Sequence, residues 1–455
     1  MTTRLARPAH PPGPAGPELL RTLYRFGFDR LKLMTSAAAT YGDAVRLAPP
    51  PRPIYFFNHP DHAKHVLAEN SGNYHKGIGL VHARRALGDG LLTSEGELWR
   101  EQRRTIQPVF QPRRIAAQAG IVAEEAARFV ERLRGAAGGP PVDVVRELTA
   151  LTLGVLGRTL LDTDLGAFHS VGRSFEAMQD QAMFELATMS AVPSWVPLPK
   201  QVRFRRARRD LQRIVDRLAA DRIARDGTGP GRDDALSRMI ASTRAEPDER
   251  LGQQRMRDEL VTLLLAGHET TASTLGWAFH ALDRHPEVAG RVHREAVDVL
   301  GDRLPSYEDL HELRYTGMVL QEVMRLFPPV WMLSRVAQGP DTIAGYPVPA
   351  GADVLICPYT LHRHPAFWPH PELFDPTRFE PGRGSDRPRY AYVPFGGGPR
   401  FCIGNNLGLL EATFVLAMVA RELRLSTAAT HRVVPEPMLS LRLRRGLPMH
   451  VRTVA

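Results

Sequence analysis

The segment Phe395-Gly-Gly-Gly-Pro-Arg-Phe-Cys402-Ile-Gly404 holds one cysteine in a glycine-rich loop, just before the apolar helical run NNLGLLEATFVLAMVAREL. A thiolate at that point needs stabilisation. Glycines let the backbone fold tightly enough for N–H groups to point at sulfur, and the following helix N-terminus favours negative charge. Such a loop suits iron ligation by Cys402. A phosphate-binding loop would need Gly-Lys-Ser/Thr after the glycines, whereas Gly404 is followed by Asn405-Asn406. A buried, inert thiol is the default for a cysteine taken alone; the residues around Cys402 argue against it.

A second polar cluster, Ala266-Gly267-His268-Glu269-Thr270-Thr271, interrupts an otherwise apolar helical face. Ala266, Thr270 and Thr274 recur at i, i+4 and i+8, making a shallow groove that a flat macrocycle and O2 could approach. His268-Glu269 superficially suggests a zinc hydrolase, but that pattern needs a second His where Ala272 stands.

The cysteine segment resembles the Phe-x-x-Gly-x-Arg-x-Cys-x-Gly signature of the cytochrome P450 family, with Phe395, Gly398, Arg400, Cys402 and Gly404 all in place. The resemblance implies haem b, with Cys402 as the axial thiolate that donates electron density to the iron, and with Arg400 pairing with a haem propionate. Further positions agree in order along the chain. Glu322-Val-Met-Arg325 and Asp375-Pro-Thr-Arg378-Phe379 resemble the family's buried ionic triad of Glu322, Arg325 and Arg378. Trp99-Arg-Glu-Gln-Arg103-Arg104 resembles the helix that reaches the haem edge through Trp99 and Arg103, and Arg335 stands where the family uses a basic residue for a propionate. Packing for Trp99 and solvent exposure for Arg103 and Arg335 are the everyday alternatives; His75 is an additional candidate. The stretch 266–271 resembles the family's Ala-Gly-x-Asp/Glu-Thr motif, whose acid and alcohol, here Glu269 and Thr270, manage protons for dioxygen.

The function implied is insertion of one oxygen atom from O2 into a lipophilic small molecule, terpenoid or fatty-acid-like. Two electrons would come from a ferredoxin or flavodoxin with its reductase, since the chain carries neither a Rossmann fingerprint nor a cysteine cluster. A haem-thiolate peroxygenase or isomerase, or a haem-based sensor, is the alternative; the pairing of Glu269 with Thr270 favours dioxygen activation. Met178, Met183, Phe184 and Met189 lie where the family places a mobile lid, and core packing is their other reading.

The elements that must position these residues are mostly helical. Apolar periodicity runs from Leu251 to about His285 and stops before Pro286, a helix long enough to cross a domain. A second helix is predicted to open near Ser306, with Asp309 in a capping-box position, and to end before Pro328-Pro329. Ala44–Leu47 and Ile54–Phe57 read as strands, and Thr342–Cys357 as a hairpin. GAAGGPP (135–141) and DGTGPG (226–231) read as loops, and residues 1–20 as a Pro-rich extended arm. The fold class is mainly α with a smaller β-rich region: one haem domain over 21–455, with haem between the long helix and the Cys402 loop.

Composition agrees with a globular enzyme, at 43% hydrophobic and 24% charged residues. Lys plus Arg exceed Asp plus Glu by 59 to 49, a formal charge of +10 that suits an acidic partner, nucleic acid or an anionic membrane without choosing among them. The densest run, Arg203 to Arg225, has Asp and apolar residues at helical spacing and reads as a solvated helix face; nucleic acid is not expected as a partner. Arg100, Arg104, Arg113 and Arg114 could form a docking patch for an acidic ferredoxin. Two cysteines cannot build a disulfide framework, and no signal-peptide core or transmembrane anchor is apparent, so the cytoplasm is the expected compartment.

Overall fold

The computed structural model describes residues 10–165, 171–188, 190–193, 195–226 and 233–454. Its axis is the helix Glu249–Arg284, whose 36 residues span about 54 Å at 1.5 Å per residue. Asp248 caps it, accepting from the N–H groups of Arg250 and Leu251 at 2.9 and 3.2 Å. Pro286 opens the next helix. The central turns are buried on almost every side because helices Ala119–Gly135, Val144–Leu160, Arg314–Leu326 and Asn405–Glu422 share one apolar core with them. Gly267 is what lets Val144–Leu160 approach: a Cβ there would lie 2.7 Å from the Leu156 methyls.

Ala44–Ala48 and Ile54–Phe57 form strands, as their apolar runs predict. They belong to a five-stranded sheet continued by Asp353–Ile356, Leu333–Ala337 and Tyr74–Lys76. All neighbours are antiparallel except Ile54–Phe57 with Asp353–Ile356. Near the C-terminus, Leu423–Thr427, Pro448–Thr453 and Val142–Asp143 make a second sheet, and Pro435–Pro437 pairs with Leu441–Leu443.

Three expectations need correction. The second helix does not begin at Ser306: the capping box with Asp309 exists, but it opens only the turn Tyr307–His311, and the helix proper is Arg314–Leu326. Arg303 grips both Asp309 oxygens at 2.6 and 2.7 Å, so the box anchors a turn. The segment 342–357 is not one hairpin. Asp341–Ile343 turns back onto Tyr346–Val348 through Ala344 and Gly345, both at positive φ, whereas Asp353–Ile356 leaves to join the large sheet. The extended arm ends early: Pro17 starts a helix to Phe28, and Arg46 N–H bonds to Pro12 carbonyl at 2.9 Å.

The arginine-rich run forms the helix Pro199–Asp226, with Phe204, Leu211, Val215 and Leu218 buried and most arginines outward. Arg222 is the exception, buried against Asp234 at 2.6 Å. The loop 135–141 is present from Ala136 onward; of 226–231, only Asp226 is among the described residues. No helix among these is long and apolar enough to cross a membrane.

Candidate active site

Cys402 lies two residues before Gly404, which caps the 18-residue helix Asn405–Glu422. Its amide bonds to Phe395 carbonyl at 3.0 Å, closing the loop on itself. Gly396 and Gly398 hold φ of +74° and +63°, conformations that L side chains rarely adopt, and a Cβ on Gly398 would collide with the Leu67 carbonyl. Gly396 is therefore required by its dihedral and Gly398 by both dihedral and space. Burial pushes the Cys402 thiol up, while the N–H groups of Gly404 and Asn405 and the Arg103 guanidinium pull it down. Those are groups that favour a thiolate.

Although protein encloses the sulfur on nearly all sides, Cys402 keeps accessible surface. Ala266 does the same in the middle of an otherwise buried helix. The two helices bearing these residues meet where a Cβ on Gly408 would lie 3.5 Å from Thr271 Oγ1. Both exposures are those expected of residues that face a common internal cleft.

At the edge of this region three cations converge. Lys76 and Arg335 are directly opposed on neighbouring antiparallel strands, and both are buried. Like charges facing each other in this way are destabilising unless an anion intervenes. Lys76 Nζ donates to the carbonyls of Leu91 and Ser94 at 2.9 and 2.6 Å. Burial and Arg400 push Lys76 down to about 7, and the same two influences push Arg335 down to about 10. Arg400 pairs with Glu95 and lies 4.2 Å over the Trp99 ring. Glu95 is the carboxylate they share; it also accepts from the Lys76 amide at 2.6 Å. Cations exceed carboxylates here even with Glu259 also acting on Lys76, which fits a group carrying further carboxylates, as the haem propionates do.

Arg103 is placed differently from Arg400. Its guanidinium donates to Phe401 carbonyl at 2.9 Å and to Gln107, so it braces the cysteine loop from the sulfur side. Phe395 packs near Phe401, ring centroids 6.2 Å apart. His75 alternates with Lys76 along its strand and so faces the other side of the sheet. Lys76 and Glu95, which the motifs did not single out, are the residues at this edge; a lone lysine in a three-residue strand gives no sequence signal.

On the long helix Thr270 Oγ1 donates to Ala266 carbonyl at 2.7 Å, and Thr274 Oγ1 to Thr270 carbonyl at 2.9 Å. Glu269 accepts from Ser440 Oγ at 2.7 Å. His268 is buried beside Phe175, ring centroids 4.9 Å apart, and burial lowers its basicity. The ionic triad forms: Arg325 donates to both Glu322 oxygens at 2.7 and 2.8 Å, and Arg378 stands 3.4 Å from Glu322. Arg325 also donates to the carbonyls of His362, Pro371 and Leu373, stapling the segment that leads to the cysteine loop. Breaking such a buried pair costs about 3–5 kcal/mol. Of the lid candidates, Met178 is core, Met183 and Phe184 are half-buried, and Met189 lies outside the described residues.

A thiol held at a helix N-terminus, a cation-rich edge and a facing helix with small and polar side chains together define a haem-thiolate protein. The chain belongs to the cytochrome P450 family, whose model matches residues 11–448. It is 37% identical to cyclooctatin synthase of Streptomyces melanosporofaciens, over 90% of this chain and 89% of that one. It is 36% identical to cyclooctat-9-en-7-ol 5-monooxygenase of the same organism, over 87% and 85%. Pentalenene oxygenase of Streptomyces avermitilis is 31% identical, over 89% of each chain. The protein is thus a haem-dependent cytochrome P450 monooxygenase that needs O2, a substrate and a redox partner.

Proposed function

We propose that this monooxygenase oxidises a cyclic terpenoid in the cytoplasm, with electrons from a ferredoxin or flavodoxin and its reductase. Among the residues, the observation that carries the haem site is the cluster of Lys76, Arg335 and Arg400 around the carboxylate Glu95. The substrate class rests on the relatives, two of which are named for cyclooctat-9-en-7-ol and pentalenene.

Haem, when bound, supplies the redox chemistry that activates dioxygen. Cys402 would hold its iron through the thiolate, with Lys76, Arg335 and Arg400 holding the propionates and Trp99 packing under Arg400. Arg103 fixes the Phe401 carbonyl and thereby the angle at which the loop presents sulfur. Thr270 spends its proton on the Ala266 carbonyl, which leaves its oxygen free to accept a hydrogen bond and hold a water in the cleft. Glu269, anchored by Ser440, is the adjacent acid that can give a proton to that water. A screen of terpenoids and fatty acids for the spin-state shift of the haem spectrum tests the substrate class. Cyclic terpenoids should shift it at micromolar concentration; a response to fatty acids alone would overturn the reading.

A further inference from the structure

Two consecutive carboxylates of the long helix hold the turn that precedes the helix Gly96–Ile106. Asp258 accepts from the Asp89 amide at 2.8 Å, and Glu259 from the Leu91 amide at 2.9 Å. The turn comes so close that a Cβ on Gly90 would collide with Thr262 Oγ1 and the Asp258 carbonyl. Glu259 and Thr262 precede Ala266 by seven and four residues, so all three share one face of the helix. Glu259 is an expensive residue to keep there. It is 3% exposed, its Oε1 has no hydrogen-bond partner among the described residues, and burial pushes it up to about 8.

What the contact secures lies within the same residue of the turn. Leu91 is held at both ends, its amide by Glu259 and its carbonyl by Lys76 Nζ, each at 2.9 Å. An ammonium has three protons to donate. Lys76 gives one to Leu91 and one to the Ser94 carbonyl at 2.6 Å, and its side chain, though buried, keeps a little accessible surface. The third proton is left for another acceptor, and the two carbonyls set its direction. Ser94 is tied down separately, through its hydroxyl to Gln102 at 2.5 Å. Leu91 is tied down by Glu259.

We propose that Glu259 is a positioning residue for haem: by holding the Leu91 amide it fixes the carbonyl that aims the Lys76 ammonium at a propionate. The inference rests on Lys76 being a propionate partner, and it adds that the long helix sets this partner's direction through the Leu91 backbone and not by an ion pair.

Two substitutions separate reach from charge. Glu259→Gln keeps an acceptor at the same distance and loses the charge; Glu259→Asp keeps the charge and is one methylene too short for the Leu91 amide. The readout is the rate at which haem leaves the loaded protein for an excess of apomyoglobin, with Lys76→Met as the reference. Lys76→Met and Glu259→Asp should each lose haem about tenfold faster than wild type, and Glu259→Gln at the wild-type rate. Combining Glu259→Asp with Lys76→Met should be no worse than Lys76→Met alone, since both remove the same contact. Wild-type retention in Glu259→Asp, or fast loss in Glu259→Gln, overturns the proposal and leaves Lys76 its propionate. Additive effects in the double variant, or a Glu259→Asp protein that does not fold, would make the carboxyl a support of the fold at large and also overturn it. If Lys76→Met keeps haem as well as wild type does, the propionate reading of Lys76 fails, and this inference with it.

Discussion

Ser440 donates its hydroxyl to Glu269 Oε1 at 2.7 Å, joining the C-terminal strand pair to the long helix across 171 residues of sequence. The acid is thus positioned from outside its own helix. Ser440→Ala removes the hydrogen bond to that oxygen and leaves Glu269 free to change rotamer. Turnover should fall several-fold with substrate affinity little changed, and Ser440→Thr, which keeps the hydroxyl, should recover most of it. Steady-state kcat and the spectral dissociation constant, measured on the same preparations, check this; unchanged kcat in Ser440→Ala would show that the contact does not position the acid.

Cys402→Ser should fold yet lose the strongly red-shifted Soret band of the reduced carbon monoxide complex, since thiolate donation produces that band. Cys357 cannot substitute. It is fully buried, donates to Trp331 carbonyl at 3.1 Å, and burial pushes its thiol up to about 11. Retention of the band in Cys402→Ser would remove Cys402 from the ligand role.

The cysteine loop, the long helix and the Glu322–Arg325–Arg378 triad were legible because each rests on local spacing: glycines before a thiol, apolar periodicity, charges at i, i+3. What escaped was set by distant pairing. Lys76 matters because the register puts it opposite Arg335, 259 positions away by their numbers, and Ser440 because its strand pair reaches the long helix. The strand 353–356 was misjudged for the same reason: its partners, Ile54–Phe57 and Leu333–Ala337, outweigh the nearby turn. Capping chemistry at Ser306 and Asp309 was read correctly but cannot say how far a helix continues.

The docking patch predicted from four arginines is reduced by their neighbours. Arg100 pairs with Glu97 at 2.9 Å and Arg114 with Asp233, whereas Arg104 and Arg113 are exposed and make no ion pair among the described residues. Arg104 is on the helix that braces the cysteine loop through Arg103. Reduction by an acidic ferredoxin should slow as salt is added, because a Debye length of about 8 Å at physiological ionic strength screens exposed charges. Arg104→Glu with Arg113→Glu should flatten that salt dependence more than Arg114→Glu does, in stopped-flow reduction. A rate insensitive to salt in wild type would place docking elsewhere.

His362 is buried and accepts from the Val393 amide at 2.8 Å, just before the cysteine loop; burial and the guanidiniums of Arg325 and Arg363 push it down to about 3. Between an unfolded value of about 6.5 and this folded value, the unfolded chain binds the proton and the folded chain does not. Stability therefore falls as pH drops through that window. His362→Asn, which keeps an acceptor but does not titrate, should weaken that dependence by up to about 1.4 kcal/mol per pH unit. Denaturant midpoints at pH 7, 6 and 5 would show it, and identical slopes in both proteins would assign the acid sensitivity to other groups.

Thr270→Ala should bind haem and substrate normally yet release more reducing equivalents as peroxide. Thr270 already donates to Ala266 carbonyl, a bond that a threonine makes in many helices without any function. Two features favour one here: Ala266 beside it keeps accessible surface within an otherwise buried helix, and Glu269 next to it is held by Ser440. With its proton engaged, the hydroxyl acts as an acceptor at a fixed point in the cleft and can order a water between itself and the acid. Alanine keeps the helix, for its helical propensity is higher, but removes that acceptor. Product formed per reductant consumed should drop by about tenfold or more, within the range that a positioned proton donor contributes. Glu269→Gln keeps the shape and cannot deliver the proton, so it should slow reductant consumption itself. Measuring product, peroxide and reductant together separates the two variants. Unchanged coupling and rate in Thr270→Ala would leave the bond to Ala266 as helix structure alone.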